Sequence, residues 1–185
     1  MLGGAAVTEE IFPGFKFSVC SYVVSLLRPE IIRDLELPRH GLEILPLDGT
    51  FTPMPSGDYL WRVNDHGKTH REIARHSRLD AEAYDEFGKA MLQMCKFVKP
   101  ILSMVPPDPA TRNPRELMKL LFLGRRFQSL STADQHNQVQ LMTMSAADFL
   151  DQWFETDVLK ATMCASGIIG TFLGVRSPGT AYVLL

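Results

Sequence analysis

The sequence predicts a mainly helical α+β protein with a small β portion near its start. Three observations point there. Tyr84, Phe87, Met91, Met94, Val98 and Ile101 recur at spacings of three and four, which draws one apolar stripe along a helix. Two short apolar runs, Leu42 to Leu47 and Tyr59 to Val63, flank turn-forming residues and read as strands. Before them, Pro13-Gly14 makes a turn into a loosely alternating segment, Phe15 to Val24.

Taken in order, the chain opens on Leu2-Gly3-Gly4-Ala5-Ala6, where bare backbone can lie close against another group. Phe15 to Val24 reads as a short strand, and Pro29 with Ile31, Ile32 and Leu35 as a short helix to about Leu37. Asp48-Gly49 and Pro55-Ser56-Gly57-Asp58 supply turn chemistry around the two strands. Thr69 followed by Glu72 has the spacing of a capping box and predicts a helix start there. A long helix follows from Asp80, with Pro100 expected to end or kink it. Val105 to Pro114 carries four prolines and reads as a linker. Beyond it, Leu117, Leu120, Leu121 and Leu123 are expected to form the buried face of another helix. Ser145 with Asp148 marks a further start, and a last helix covers about Asp157 to Ile169.

Composition excludes more than it assigns. A formal charge of −2 offers no electrostatic reason for a nucleic-acid partner. Cys20, Cys95 and Cys164 are scattered and form no paired motif, as expected of a chain kept in a reducing compartment. No signal or transit pattern opens the sequence, and the uncharged stretch Ala161 to Val175 would be about 22 Å long as a helix, short of the roughly 30 Å of hydrocarbon in a bilayer. The expectation is a cytoplasmic protein with no transmembrane segment.

Chemistry-bearing motifs are sparse. His66, His70 and His76 lie close in sequence, but Gly67 and Lys68 stand where a zinc helix needs a general base, so solvated helix-end histidines are expected and no metal site. Asp80, Glu82, Asp85 and Glu86 crowd a helix start, where they complement the macrodipole rather than form an acid–base pair. Gly167, Gly170 and Gly174 allow close backbone approach, and Gly170 and Gly174 have the spacing of tight helix packing or of a break beside a ligand. No catalytic side chain can be named from these patterns.

A resemblance supplies what the patterns do not. Leu2-Gly3-Gly4-Ala5-Ala6-Val7-Thr8-Glu9-Glu10 and Pro13-Gly14-Phe15-Lys16-Phe17-Ser18 resemble a segment of the glutathione-reductase-type flavoproteins. More narrowly they are similar to the phytoene-desaturase-related group, which includes the pyridine nucleotide-disulfide oxidoreductase domain-containing proteins. Leu27-Arg28-Pro29, Glu72-Ile73-Ala74-Arg75, Ser145-Ala146-Ala147-Asp148-Phe149-Leu150 and Gly179-Thr180-Ala181-Tyr182 extend the resemblance along nearly the whole chain. Many relatives carry Arg after the glycine pair, where Ala5 and Ala6 stand here.

The resemblance implies a piece of an FAD/NAD(P)-binding, glutathione-reductase-like α/β fold with a helical substrate cap. Residues 1–27 would belong to the FAD-binding domain, residues 28–67 to the substrate-side strands, and residues 68–185 to the cap. It implies FAD as cofactor, with Gly3, Gly4 and Ala5 beside it, and an apolar small molecule as substrate. The family's Gly-x-Gly-x-x-Gly loop is absent from the sequence. The apolar ending Tyr182-Val183-Leu184-Leu185 reads as a second cut. An internal fragment is therefore expected, binding FAD weakly or not at all by itself, with the Phe15 to Val24 strand lacking a partner within the chain. The competing readings are a non-enzymatic helical interaction domain and a small carrier of apolar ligands.

Overall fold

A computed structural model describes residues 3–18, 20, 23–24 and 26–185. The chain divides into two compact units, Met1–Leu47 and Asp48–Leu185.

In the first unit a single 3-10 turn, Gly4–Ala6, leads into strand β1 (Thr8–Phe12). Pro13 and Gly14 turn the chain back into the antiparallel strand β2 (Phe15–Ser18). Gly14 sits at φ 83°, and its N–H donates to the Glu10 carboxylate at 2.8 Å, which holds the turn closed. The expected strand at Phe15 to Val24 therefore ends at Ser18, and Val19, Ser21 and Tyr22 of that range lie outside the described residues. It also has a partner within the chain, contrary to expectation. Thr8-Glu9-Glu10-Ile11-Phe12 pairs with it because a tight Pro-Gly turn places the two segments side by side. The register sets Glu10 opposite Lys16 and Phe12 opposite Phe15.

Helix α1 (Pro29–Asp34) begins on proline, whose missing N–H costs nothing at a helix start. A 3-10 turn, Leu37–His40, follows Glu36, which holds a left-handed backbone at φ 49°. None of the residues of this unit whose burial is described is buried. Phe12 and Phe15 are both about two-thirds exposed. A two-stranded ribbon without a core is marginal in water, so packing within this unit cannot be what stabilises it.

The second unit holds the core. Strands β3 (Gly49–Pro53) and β4 (Tyr59–Val63) form an antiparallel hairpin, with Phe51 opposite Trp61. Tyr59 to Val63 is a strand as expected, but Leu42 to Leu47 is not. Pro46 removes a ladder donor from that run, whereas Thr50, Phe51 and Thr52 suit a pleated strand and lie in register with β4.

Helix α2 (His66–His76) starts four residues earlier than the capping-box reading requires. Asp65 is the cap, accepting from the Lys68 N–H at 2.9 Å. Thr69 is instead buried inside the helix, where its hydroxyl donates to the Val63 carbonyl at 2.7 Å and accepts from the Val63 N–H at 2.9 Å. One threonine thus satisfies both backbone groups at the end of β4 and joins strand to helix.

Helix α3 (Arg78–Val98) carries the expected stripe, with Phe87, Met94 and Val98 buried, and it ends before Pro100. Helix α4 (Pro114–Gln128) follows the proline-rich linker, then α5 (Thr132–Thr143), α6 (Ala146–Asp151) and α7 (Asp157–Cys164). The core gathers Leu60, Ile73, Phe87, Met94, Leu141, Phe149, Leu150 and Leu159. Phe87 is its aromatic hub, with Trp153 edge-on at 5.5 Å and Phe154 at 5.2 Å between ring centroids. The Ser145 start of α6 is as expected: its hydroxyl accepts from the Asp148 N–H at 3.0 Å and donates to the Asp148 carboxylate at 2.6 Å.

Two expectations fail in this unit. The leucines of α4 do not form one buried face: Leu120 and Leu123 are half-buried, and Leu117 and Leu121 are about half exposed. Gly170 and Gly174 have open space where a side chain would stand, so neither marks tight packing. The expected close approach is met at Gly167, where a Cβ would lie 2.8 Å from the Ala146 Cβ and 3.2 Å from the Thr180 carbonyl oxygen. That contact seats the final 3-10 turn, Thr180–Leu184, in the core, with Thr180 and Ala181 fully buried. The Thr180 hydroxyl accepts from the Ala146 N–H at 2.9 Å, and Tyr182 and Leu184 pack against the core cluster. The apolar run Tyr182-Val183-Leu184 is thus explained by packing within the chain.

Candidate functional site

The residues implicated by sequence lie in the turn before β1. Gly3 holds φ 122° and Gly4 φ 51°, two successive backbone conformations that side-chain-bearing residues rarely adopt. A Cβ on Gly3 would meet the Val7 side chain at 3.1 Å, while the position above Gly4 is open. The Ala6 N–H donates to the Gly3 carbonyl at 2.9 Å and the Val7 N–H to the Gly4 carbonyl at 3.3 Å, which closes the 3-10 turn that contains Ala5. Gly3 and Gly4 are both exposed. The turn therefore presents open main chain at Gly4, while the Val7 side chain stands beside Gly3. Room for a flat or phosphorylated group to approach the backbone is one requirement of a dinucleotide site. The residues present do not make a whole one, because no glycine-rich loop opening a helix occurs in the sequence.

A second candidate lies wholly within the second unit. Trp61 and Val63 of β4 and Lys68, Arg71 and Glu72 of α2 line a surface groove of about 540 Å³. Trp61 projects outward because its strand neighbour Leu60 points into the core, and strand side chains alternate. The groove offers one flat apolar surface and charges of both signs. At its far side Arg75 bonds Asp58 at 2.6 Å and Glu72 at 2.8 Å and lies 5.0 Å over the Tyr59 ring. The backbone N–H of Tyr59 and then the Arg75 guanidinium hold the Asp58 carboxyl below its ordinary range. These contacts tie the hairpin to α2 and keep the groove wall in place.

The histidines do not converge on a metal. His66 Nε2 lies 3.1 Å from the Asp85 carboxylate, and the His70 ring is 6.3 Å from the His66 ring. His76 Nε2 is 3.0 Å from the Tyr59 carbonyl oxygen, on the hairpin side of α2. Among the described residues no group of three or more His, Cys, Asp or Glu side chains could hold a metal ion.

Sequence reasoning missed the role of one carboxylate. Asp80 is buried, and its side chain accepts from the Glu155 N–H at 2.7 Å, from the Thr156 N–H at 3.0 Å and from the Thr156 hydroxyl. Ser77 caps α3 by accepting from the Asp80 N–H at 3.1 Å, and its hydroxyl donates to Glu155 at 2.6 Å. The available signal was Ser77-x-x-Asp80, a helix-start pattern. Instead of returning to its own backbone, the acid secures the α6–α7 loop.

The cysteines stand apart from all of these. Cys164 is buried, and burial, with the Asp151 carboxylate adding to it, pushes its thiol up, away from a reactive thiolate. Cys20 is exposed. Among the described residues no helix is long and apolar enough to cross a membrane.

Curated relatives match the entire chain. It is 37% identical, over 199 aligned positions covering 100% of its length, to pyridine nucleotide-disulfide oxidoreductase domain-containing protein 2 of Rattus norvegicus. The protein of the same name from Mus musculus is also 37% identical over 199 positions. This chain spans about a third (34%) of the length of each. The resemblance read from the motifs agrees with these matches at the level of pyridine nucleotide-disulfide oxidoreductase domain-containing proteins. No family model matches the chain, and no solved structure matches it.

Proposed function

We propose that this chain is a portion of an FAD-dependent oxidoreductase, supplying one edge of the cofactor site together with the substrate-side strands and helical cap. The carrying observation is the 37% identity over the full chain to relatives named for a pyridine nucleotide-disulfide oxidoreductase domain. Two further features support the reading. Gly3 and Gly4 hold positive φ in an exposed turn. The unit that contains them is uncored, as a segment would be whose packing partners lie in the other two-thirds of such a protein.

In this reading FAD supplies the transfer of hydride or electrons, and the protein supplies orientation and a dry site. The Gly3-Gly4-Ala5 turn brings backbone against the cofactor without an intervening side chain. The Ala5-Ala6 pair makes that contact through main chain alone, since neither residue carries a charge. Residues 1–27 belong with the FAD-binding sheet, residues 28–67 with the substrate-side strands, and residues 68–185 with the cap. The substrate in this reading is an apolar small molecule, as the resemblance implies.

The experiment is a graft. This chain replaces the matched third of the rat relative, and bound flavin is measured by absorbance in the purified product. Gly3→Val and Gly4→Val grafts are expected to fold and to lose most of the flavin. Grafts that retain a full complement of flavin with both valines would remove the role assigned to the turn.

A further inference from the structure

Helix α4 is apolar on two sides. Its inner side packs on α3, with Phe127 and Phe97 edge-on at 5.9 Å and the Arg126 guanidinium donating to the Lys96 carbonyl at 2.7 Å. The other side carries Leu117, Met118, Leu121 and Phe122, each between 47% and 68% exposed. At 3.6 residues per turn these four fall within an arc of about 140°, a continuous apolar face directed away from α3.

Charge is concentrated on the same segment, Arg112 standing just before the helix. Between positions 112 and 126 the chain has Arg112, Arg115, Lys119, Arg125 and Arg126 against the single acid Glu116, a net of four positive charges in a chain whose total is −2. Arg115 lies beside the exposed apolar arc and Arg125 within it at its C-terminal end, both exposed, whereas Arg126 is turned inward onto the Lys96 carbonyl. Glu116 and Lys119 pair at 2.8 Å and cancel, which leaves Arg115 and Arg125 as the outward cations of the helix.

We propose that α4 lies on an anionic lipid surface, with Leu117, Met118, Leu121 and Phe122 dipping into the boundary of headgroups and acyl chains and the arginines against lipid phosphates. The arrangement is that of an in-plane amphipathic helix, in which buried apolar area and attraction to anionic lipid act together. Charge complementarity selects lipid over the interior of another domain. A protein interface covering this arc would have to desolvate Arg125, whereas a bilayer surface leaves the guanidinium among phosphates and water. Such attachment keeps the chain at the membrane surface without a spanning segment, and it is independent of the flavin reading.

The test is co-sedimentation of the full chain with vesicles of phosphatidylcholine and of equimolar phosphatidylcholine and phosphatidylserine. Binding to the anionic vesicles, released by high salt, is the expected result. Leu121→Glu with Phe122→Glu should abolish it, and Arg115→Gln and Arg125→Gln should each weaken it about fivefold. Circular dichroism checks that each variant keeps its helices, which the exposure of these side chains predicts. Equal binding to both vesicle types, unchanged binding by the glutamate variant, or no vesicle binding together with a dimer that the glutamate variant dissolves, would each overturn the proposal. Retention on an acidic polypeptide without retention on vesicles would do the same.

Discussion

The Asp80 carboxylate accepts a hydrogen bond from the Thr156 N–H at 3.0 Å, across 76 residues of sequence. With the Glu155 N–H at 2.7 Å and the Thr156 hydroxyl on the same side chain, one buried acid fixes the start of α7 to the start of α3. Asp80→Ala leaves two backbone donors without their acceptor in a buried place. It should cost about 3 kcal/mol, read as a lower urea midpoint with unchanged slope. Asp80→Asn, which keeps one carbonyl oxygen, should lose less.

Glycines of this chain should answer oppositely to alanine. Gly167→Ala drives a methyl into Ala146 and the Thr180 carbonyl and should destabilise by about 1–3 kcal/mol. Gly88, in the middle of α3, has open space at its Cβ position, so Gly88→Ala should stabilise by about 1 kcal/mol through helix propensity. Thermal unfolding of the two variants measures both effects.

Much of this was legible in the sequence, and the failures share a cause. The α3 stripe, the Ser145 cap and the proline stop were readable because period, cap chemistry and a missing N–H act within a few residues. Thr69 misled because its spacing to Glu72 imitates a cap, whereas its partner is Val63, settled by how β4 meets α2. The distant partners of Asp80 leave no local mark at all. The leucines of α4 carry helical periodicity on two faces, and periodicity alone cannot say which face a neighbour covers. The Gly3-Gly4 turn was legible as bare backbone, and its positive φ values were not.

Acid should weaken the link between α6 and α7. The Lys160 ammonium, 2.8 Å away, holds the Asp151 carboxyl below the ordinary value of 3.8, and Asp151 with Asp157 holds Lys160 up. A lowered carboxyl stabilises the fold above its unfolded-state value, and that contribution is lost as pH falls through the lower, folded-state value. Unfolding midpoints measured downward from about pH 4 should therefore fall more steeply in the parent than in Asp151→Asn, which has no charge to lose. Both groups are open to solvent, so the difference should be small and should shrink further with salt.

Thiol labelling should separate the cysteines. Cys20 is exposed and should react promptly in the native protein, while Cys164, buried and with its thiol pushed up, should react only on unfolding. Mass spectrometry after a short alkylation pulse reads the order. Prompt labelling of Cys164 would mean that the final turn, Thr180–Leu184, is not seated in the core.

Flavin content tests most directly whether the chain is part of a flavoprotein. With this chain grafted in place of the matched third of the rat relative, the purified product should carry FAD in a stoichiometric amount, visible in the flavin absorbance bands. The isolated chain should carry little or none. A graft that folds but emerges colourless and cannot be reconstituted with FAD, beside a rat parent that is yellow, would contradict the account.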